Sequence, residues 1–187
     1  RGRDAAAEDD MAGYWEGMVR TQDGSYEFVS IGYMYDDNGD DAQAPGYFGI
    51  CFLGHDTDPT GQTAPTRVAI RSYQAFSGQQ SFDQGGDPTN DAERYELLSA
   101  ANKDGDTGVG KQNDFRFMIS GGPFVKLDPD AVLRFQAAMV CGNGLGGLRT
   151  NAAEAVRTYR GNFLDFKKRY AAGSEQPREE AAVGLGV

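Results

Sequence analysis

The 187 residues include 28 Asp and Glu against 18 Lys and Arg, a formal net charge of −10, and 39% of them are hydrophobic. A chain of this length fits one domain with a buried core. Residues 1–60 hold 13 acidic residues and three Arg, and this negative field repels nucleic-acid phosphates and anionic lipid. No apolar run reaches the roughly 20 residues that cross a bilayer. We therefore expect no nucleic-acid binding and no membrane insertion.

The pattern along the chain predicts one β-rich domain, at 11–171, between a loose acidic segment at 1–10 and a flexible tail at 172–187. Runs rich in aromatic and β-branched residues, bounded by Gly, Pro, Asn or Asp, predict strands. These runs are 14–19, 26–35, 46–53, 67–76, 114–120 and 132–141. Several of them are apolar on both faces. This mixture predicts a mainly β fold, an antiparallel two-sheet β-sandwich of the Ig or jelly-roll type.

Two stretches depart from the β pattern and predict one short and one longer C-terminal helix packed on the sandwich, near 90–100 and 147–170. In the first, apolar residues recur at helical spacing after a cap, Asn90 or Thr89. In the second, apolar residues form one stripe, with Gly161 as an alternative helix end. Gly142, Gly144 and Gly147 meet the Gly-x-Gly-x-x-Gly spacing of nucleotide-binding loops. Because no βαβ series surrounds them, a tight strand-to-helix turn is the better interpretation.

An acidic loop directly after an aromatic strand predicts a calcium site. Asp36, Asn38 and Asp40 alternate there, so the loop can turn several oxygens towards one cation. Asp10 completes the site if the fold returns it to this loop. The loop departs from the helical calcium-binding pattern, since Asp41 replaces its sharp-turn Gly. The alternative is a solvated acidic hairpin tip.

A second and weaker metal candidate lies at Asn102, Asp104 and Asp106, where oxygen-bearing side chains again alternate. Lys103 lies within this group, and the surrounding glycines favour a mobile loop as the alternative.

The chain has two cysteines, Cys51 and Cys141, and both lie in apolar runs. Such positions are typical of buried free thiols. A disulfide between neighbouring strands is the alternative in an oxidising compartment.

The turn motifs of the chain resemble those of uncharacterised β-sandwich modules in large secreted or cell-surface proteins of environmental bacteria, many of which end in a C-terminal sorting signal. The resemblance is carried by Gly-Tyr-Phe-Gly at 46–49, Gly-Gly-Asp-Pro-Thr-Asn-Asp at 85–91, Ser-Gly-Gly-Pro-Phe at 120–124, Gly-Leu at 144–145 and Asn-Ala-Ala at 151–153. It implies an extracellular or cell-surface, non-enzymatic module. Its expected partners are other domains of a longer parent chain or neighbouring copies, and its expected roles are adhesion, spacing or assembly, with Ca²⁺ as the stabilising ion.

Two alternatives remain open. A carbohydrate-binding module would use flat aromatic faces, which are supplied by Trp15, Tyr26, Tyr33, Tyr35, Tyr47 and Phe48 unless core packing accounts for them. Of these, Trp15, Tyr35 and Tyr47 are the candidates for ligand contact. A hydrolytic or enzyme-associated domain would draw on acidic residues such as Asp36, Asp56 or Glu16, which need to meet as a pair across a cleft.

His55 is the sole histidine, so it has no second His for a zinc site. We expect it exposed where a strand ends.

Overall fold

The computed structural model describes residues 10–36, 46–55, 68–78, 80–108, 111–124 and 128–164. Its strands form one four-stranded and one two-stranded antiparallel sheet, so the predicted mainly β fold with two antiparallel sheets is confirmed. None of the described helices is long and apolar enough to cross a membrane. The elements are β1 (Asp10–Arg20), β2 (Tyr26–Asp36), β3 (Gly46–His55), β4 (Ser72–Ser77), α1 (Asp91–Ser99), β5 (Phe115–Ser120), β6 (Phe135–Asn143) and α2 (Gly144–Thr158).

The four-stranded sheet has the order β1-β2-β3-β6, and every neighbouring pair in it is antiparallel. Side chains of a strand alternate between the two faces of a sheet. One face carries Val29, Ile31, Cys51 and Val140, all buried. The buried stripe of α2 packs on this face and forms the main core with it, as the apolar spacing predicted. The stripe consists of Leu148, Ala152, Ala153 and Val156.

The two-stranded sheet, β4 and β5, packs against β1 and β2 on the opposite face of the larger sheet. Gly32 of β2 lies so close to it that an added Cβ would stand 2.8 Å from Tyr73 Cδ2 and 3.1 Å from Ile119 Cγ2. The Tyr14 and Tyr73 rings meet at 5.7 Å, and the Ile70 amide donates to Ser30 Oγ at 2.9 Å. The short sheet therefore rests on the hairpin half of the larger one.

A segment at 102–107, here called the strap, ties the two sheets together beside β1. At one end the Tyr73 amide donates to the Asn102 carbonyl at 2.8 Å, and the Asp104 amide donates to the Tyr73 carbonyl at 3.0 Å. At the other end the Thr107 amide donates to the Ala12 carbonyl at 2.9 Å. The strap thus covers part of the outer edge of β1.

Several element bounds differ from the prediction. Asp10, assigned from sequence to the loose N-terminal segment, is the first residue of β1 and pairs with Asp36. The strand expected from residue 67 begins at Ser72, because the Ile70 amide bonds to a side chain of the other sheet. The strand expected from residue 132 begins at Phe135.

The two helices begin at residues whose local chemistry explains the start. Asn90 caps α1, because its side-chain oxygen accepts from the Glu93 amide at 3.0 Å. The longer helix begins at Gly144, three residues before the predicted start, in a tight turn directly after β6. Gly144 has φ 66°, and a Cβ on Gly142 would stand 2.1 Å from the Leu148 nitrogen. The helix continues as a π-helical turn, Tyr159–Leu164, and the predicted continuation at 165–170 lies outside the described residues.

Candidate functional site

The three aromatic residues predicted for ligand contact occupy two places on the face of the larger sheet that carries α2. Tyr35 and Tyr47 are partners in the β2–β3 ladder, and their rings stack with centroids 4.2 Å apart and planes 8° apart. Trp15 lies opposite Ile31, four residues back along β2. The Arg149 guanidinium covers the Trp15 ring at 4.7 Å. The structure therefore joins Tyr35 to Tyr47 and separates Trp15 from them.

A third tyrosine and an aspartate complete this group, and the sequence did not indicate either partnership. Tyr33 lies 5.9 Å from the Tyr47 ring and donates its hydroxyl to Asp106 Oδ2 at 2.8 Å. Tyr35 donates to Asp106 Oδ1 at 3.1 Å, and the Gly108 amide donates to the same oxygen at 3.0 Å. Tyr33 is buried, while Tyr35 and Tyr47 are half-buried. Tyr33, Tyr35, Tyr47 and Asp106 are called the tyrosine cluster below.

The tyrosine cluster has two chemical capacities, which are hydrogen-bond donation by its hydroxyls and stacking by its rings. Burial, followed by the neighbouring Asp106 carboxylate, raises the pKa of both Tyr33 and Tyr35 above its ordinary value. Both hydroxyls therefore keep their protons at neutral pH and act as hydrogen-bond donors. The cluster presents the outer parts of two stacked rings beside a carboxylate that is already held by three protein donors.

The second metal candidate is divided between two locations. Asp104 Oδ2 accepts from the Ala75 amide at 3.0 Å, and Asp104 Oδ1 accepts from Asn102 Nδ2 at 3.1 Å. Asp106 belongs instead to the tyrosine cluster. Neutral protein donors thus hydrogen-bond both carboxylates, and they fix the strap to β4 and β2. The alternating spacing that suggested a metal here serves hydrogen bonding in the structure.

The first metal candidate is assembled in part. Asp10 and Asp36 lie directly opposite each other where β1 begins and β2 ends, so the fold does return Asp10 to the acidic loop. Asn38 and Asp40 lie outside the described residues. In the described part of the chain, no group of three or more His, Cys, Asp or Glu is placed to hold a metal ion. The calcium site stays a prediction.

The two cysteines are free thiols, and the disulfide alternative does not hold in the structure. Cys51 pairs with Ala138 and Cys141 with Phe48, so the thiols lie on neighbouring strands but three ladder positions apart. Because the faces alternate, Cys51 points into the core as predicted, whereas Cys141 is exposed and the prediction that it is buried was wrong. Burial raises the pKa of the Cys51 thiol to about 11, so this group is unreactive at neutral pH.

Of the acidic residues suggested for hydrolysis, the two that the structure describes, Glu16 and Asp36, do not meet as a pair. Glu16 Oε2 accepts from Tyr14 at 2.5 Å and from Lys103 Nζ at 2.9 Å, which makes it the anion of an ion pair beside β1. Asp36 lies opposite Asp10, six residues along β1 from Glu16, a separation of about 20 Å. Glycoside hydrolysis needs two carboxyl groups within about 5–10 Å. Asp56 lies outside the described residues.

His55 is buried, at 6% exposure, and the prediction that it is exposed was wrong. Its ring stacks on Phe135 at 5.5 Å and meets the edge of Phe124 at 5.0 Å. The segment after β5 folds over the end of β3, and a tertiary contact of this kind leaves no local sequence signal.

An exposed apolar surface lies on the other side of the larger sheet, over β3 and β6. Its members are Phe48, Ile50, Ala137, Met139 and Cys141, which share one face because Phe48 pairs with Cys141 and Ile50 with Met139. Met139 is 78% exposed and Phe48 is 38% exposed. Neither strand contains an Asp, Glu, Lys or Arg. This surface is called the β3–β6 face, and the sequence did not indicate it because a strand that is apolar on both faces does not show which face the fold leaves exposed.

Comparison of the chain with other proteins adds no relative to these observations. No protein-family model matches it, and no curated protein and no solved structure matches it significantly.

Proposed function

We propose that this chain is a non-enzymatic module of a secreted or cell-surface bacterial protein, and that it serves assembly. In this proposal it binds other domains of a parent chain or neighbouring copies through the β3–β6 face. The observation that carries the proposal is the exposure of Met139 and Phe48 on two neighbouring strands without charge. Contiguous exposed apolar surface marks interaction sites in soluble proteins. The resemblance of the turn motifs to exported bacterial modules supports the location.

The two sheets then form a β-sandwich of the Ig or jelly-roll type with one half open. The short sheet packs on β1 and β2, as the closeness of Gly32 to Tyr73 and Ile119 requires, whereas Met139 and Phe48 stay exposed. A partner on the β3–β6 face would continue the layer that β4 and β5 begin. Burial of this apolar surface is the free-energy gain that would drive its binding.

The test is the affinity of the chain for the domains that flank it in its parent protein and for itself, measured by calorimetry and sedimentation velocity. Met139→Ser and Phe48→Ser should each weaken binding about tenfold or more, because each removes an apolar side chain that the partner would bury. Met18→Ser is the matched control, since Met18 is an exposed methionine of β1, 57% exposed. Unchanged affinities of Met139→Ser and Phe48→Ser would contradict the proposal. It would also be contradicted if the native chain bound neither the flanking domains nor a second copy of itself.

A carbohydrate is the second candidate ligand, and the stacked pair of Tyr35 and Tyr47 favours it. Their half-buried rings lie beside Asp106, and sugars bind where apolar ring surface meets a few placed polar groups. Titration with a panel of oligosaccharides, followed by tyrosine fluorescence, tests this candidate. Tyr47→Ala should abolish a response that Tyr26→Ala retains, because Tyr26 is exposed without a stacking partner among the described residues. Absence of any response in the native chain would dismiss it.

A further inference from the structure

Strand β6 forms the outer edge of the larger sheet. The sheet order ends at β6, and among the described residues no strand pairs with its outer side. Outside the ladder with β3, Asn151 Nδ2 donates to the Cys141 carbonyl of β6 at 2.8 Å. An edge strand presents unpaired amides and carbonyls, which makes it a template for another strand.

The opposite edge of the same sheet is protected in the ways that proteins commonly use. β1 contains Asp10, Glu16 and Arg20, and charged residues discourage edge pairing. Its backbone is also covered, because the Thr107 amide donates to the Ala12 carbonyl at 2.9 Å and the Asn113 amide to the Asp10 carbonyl at 3.1 Å. In β6 there is no charge and no proline across nine residues, Phe135–Asn143. Among the described residues, the sheet is therefore guarded at β1 and, apart from the Cys141 carbonyl, open at β6.

The neutrality of β6 indicates which strand would pair with it. The chain carries a net charge of −10, so two copies repel each other over most of their surfaces. A twofold interface brings one patch against the same patch, and like charges opposite each other destabilise paired strands. A strand without charge avoids this penalty. The neutral edge of an acidic chain is thus suited to a second copy of itself.

We propose that β6 pairs antiparallel with β6 of a second copy, centred on Met139, so that two four-stranded sheets become one sheet of eight strands. This inference rests on the proposed function and identifies the assembly partner as a second copy of the chain. Centring on Met139 gives the full nine-residue overlap of Phe135–Asn143. It places Ala137 of each copy opposite Cys141 of the other, and it joins the two β3–β6 faces into one apolar surface.

Association should depend on concentration, because nine residues of paired edge bury less than the roughly 1,200–2,000 Å² of a stable interface. Sedimentation equilibrium over a wide range of concentration should show the mass rising towards twice that of the chain. Met139→Lys should hold the mass at that of the monomer, since two lysines would then face each other. Met139 is 78% exposed, so the melting temperature of this variant at low concentration should match that of the native chain. Met18→Lys, the control on β1, should keep the dimer.

Crosslinking tests the register. Cys51 is buried, so Cys141 is the accessible thiol, and Ala137→Cys adds a second thiol opposite Cys141 of the other copy. A short bismaleimide should crosslink this variant efficiently. It should crosslink the native chain poorly, because its two Cys141 residues would lie four strand positions, about 13 Å, apart. Val132→Cys, placed at an exposed residue before the strand, is the control and should also crosslink poorly.

The outcomes separate this inference from the proposed function. A native chain that stays monomeric at every concentration, yet binds the flanking domains of its parent through Met139 and Phe48, overturns β6 pairing and leaves the assembly function standing. A chain that binds neither partner overturns both. A dimer that persists in Met139→Lys, or equal crosslinking of the Ala137→Cys and Val132→Cys variants, overturns the pairing at β6.

Discussion

Asp106 is one of the residues that fix the strap to the larger sheet, and its carboxylate accepts hydrogen bonds from Tyr33 and Tyr35 of β2. Tyr33→Phe removes the donor that is 2.8 Å from Asp106 Oδ2 while keeping the ring. A hydrogen bond to a charged group contributes about 1.5–3 kcal/mol, so we expect a loss of that size in the free energy of unfolding. Urea denaturation followed by circular dichroism measures it.

The matched control for this change is Tyr26→Phe, because Tyr26 is 61% exposed at the start of the same strand. Its free energy of unfolding should stay within about 0.5 kcal/mol of the native value. Equal effects of the two substitutions would mean that the bond between Tyr33 and Asp106 does not stabilise the fold.

Asp23, in the turn between β1 and β2, gives a pH-dependent prediction. Hydrogen bonds from Thr21 at 2.6 Å and from Ser25 hold the pKa of this carboxyl below its ordinary value of 3.8, and Arg157 of α2 adds to the effect. A depressed pKa stabilises the folded state above the unfolded pKa, and this contribution is lost as pH falls through the folded pKa. Asp23→Asn should therefore lower the melting temperature at pH 7, and its difference from the native chain should shrink below about pH 4.

The control for the pH series is Asp83→Asn, since Asp83 lies in a short 3-10 turn, Phe82–Gln84, outside this hairpin. Its melting curves should follow those of the native chain at each pH. A deficit of Asp23→Asn that stays constant from pH 7 to pH 2 would show that the charge of Asp23 is not what stabilises the turn.

At the scale of single residues, spacing identified Asp104 and Asp106 but did not indicate the protein groups that donate hydrogen bonds to them. Asp104 and Asp106 alternate as metal ligands do, yet their donors are Ala75 on β4 and two tyrosines on β2. Those donors lie from about 30 to about 70 positions away in the chain. A local sequence pattern shows which side-chain atoms are available for bonding, whereas the tertiary fold determines which groups those atoms contact.

Among the elements, the contact between the two sheets depends on the absence of a side chain at Gly32. A Cβ there would stand 2.8 Å from Tyr73 Cδ2 and 3.1 Å from Ile119 Cγ2. Tyr73 is fully buried, so its ring has no free space to move into. Gly32→Ala should destabilise the fold by about 1–3 kcal/mol through overpacking, as measured by denaturant unfolding. Gly46→Ala, where an added Cβ meets no atom within 4 Å, should change stability by less than about 0.5 kcal/mol. Equal stability of the two variants would mean that the sheets are not packed at Gly32.

Both helices were predicted near the positions at which they occur, because their signals are local. Asn90 caps α1, and the three-to-four spacing of Leu148, Ala152 and Val156 marked the buried stripe of α2. The runs that became strands were also recognisable, but their order was not. β6 pairs with β3, which is about 80 residues earlier in the chain, and only this long-range pairing makes β6 an edge. The candidate assembly surface could not be found before that order was known.

On the scale of the whole molecule, the charge is uneven, and the fold concentrates it further. The acidic first third contributes both Asp10 and Asp36, which the β1–β2 ladder sets directly opposite each other. Opposed carboxylates on neighbouring strands repel each other. The β3–β6 face, in contrast, carries no charged residue. One end of the larger sheet thus carries two opposed carboxylates, and one half of its outer face is apolar.

This arrangement leads to a calcium prediction for the intact chain. A divalent cation between Asp10 and Asp36 would offset their repulsion, and an ion that binds the folded state alone stabilises it by about 2.7 kcal/mol at a concentration one hundred times its dissociation constant. Thermal melting in millimolar CaCl₂ should therefore show a higher melting temperature than in chelator. Asp36→Asn should remove most of the increase, while Asp83→Asn, which changes the net charge equally, should keep it. A melting temperature that calcium leaves unchanged, or that magnesium raises as much, would mean that the paired carboxylates are tolerated without a specific ion.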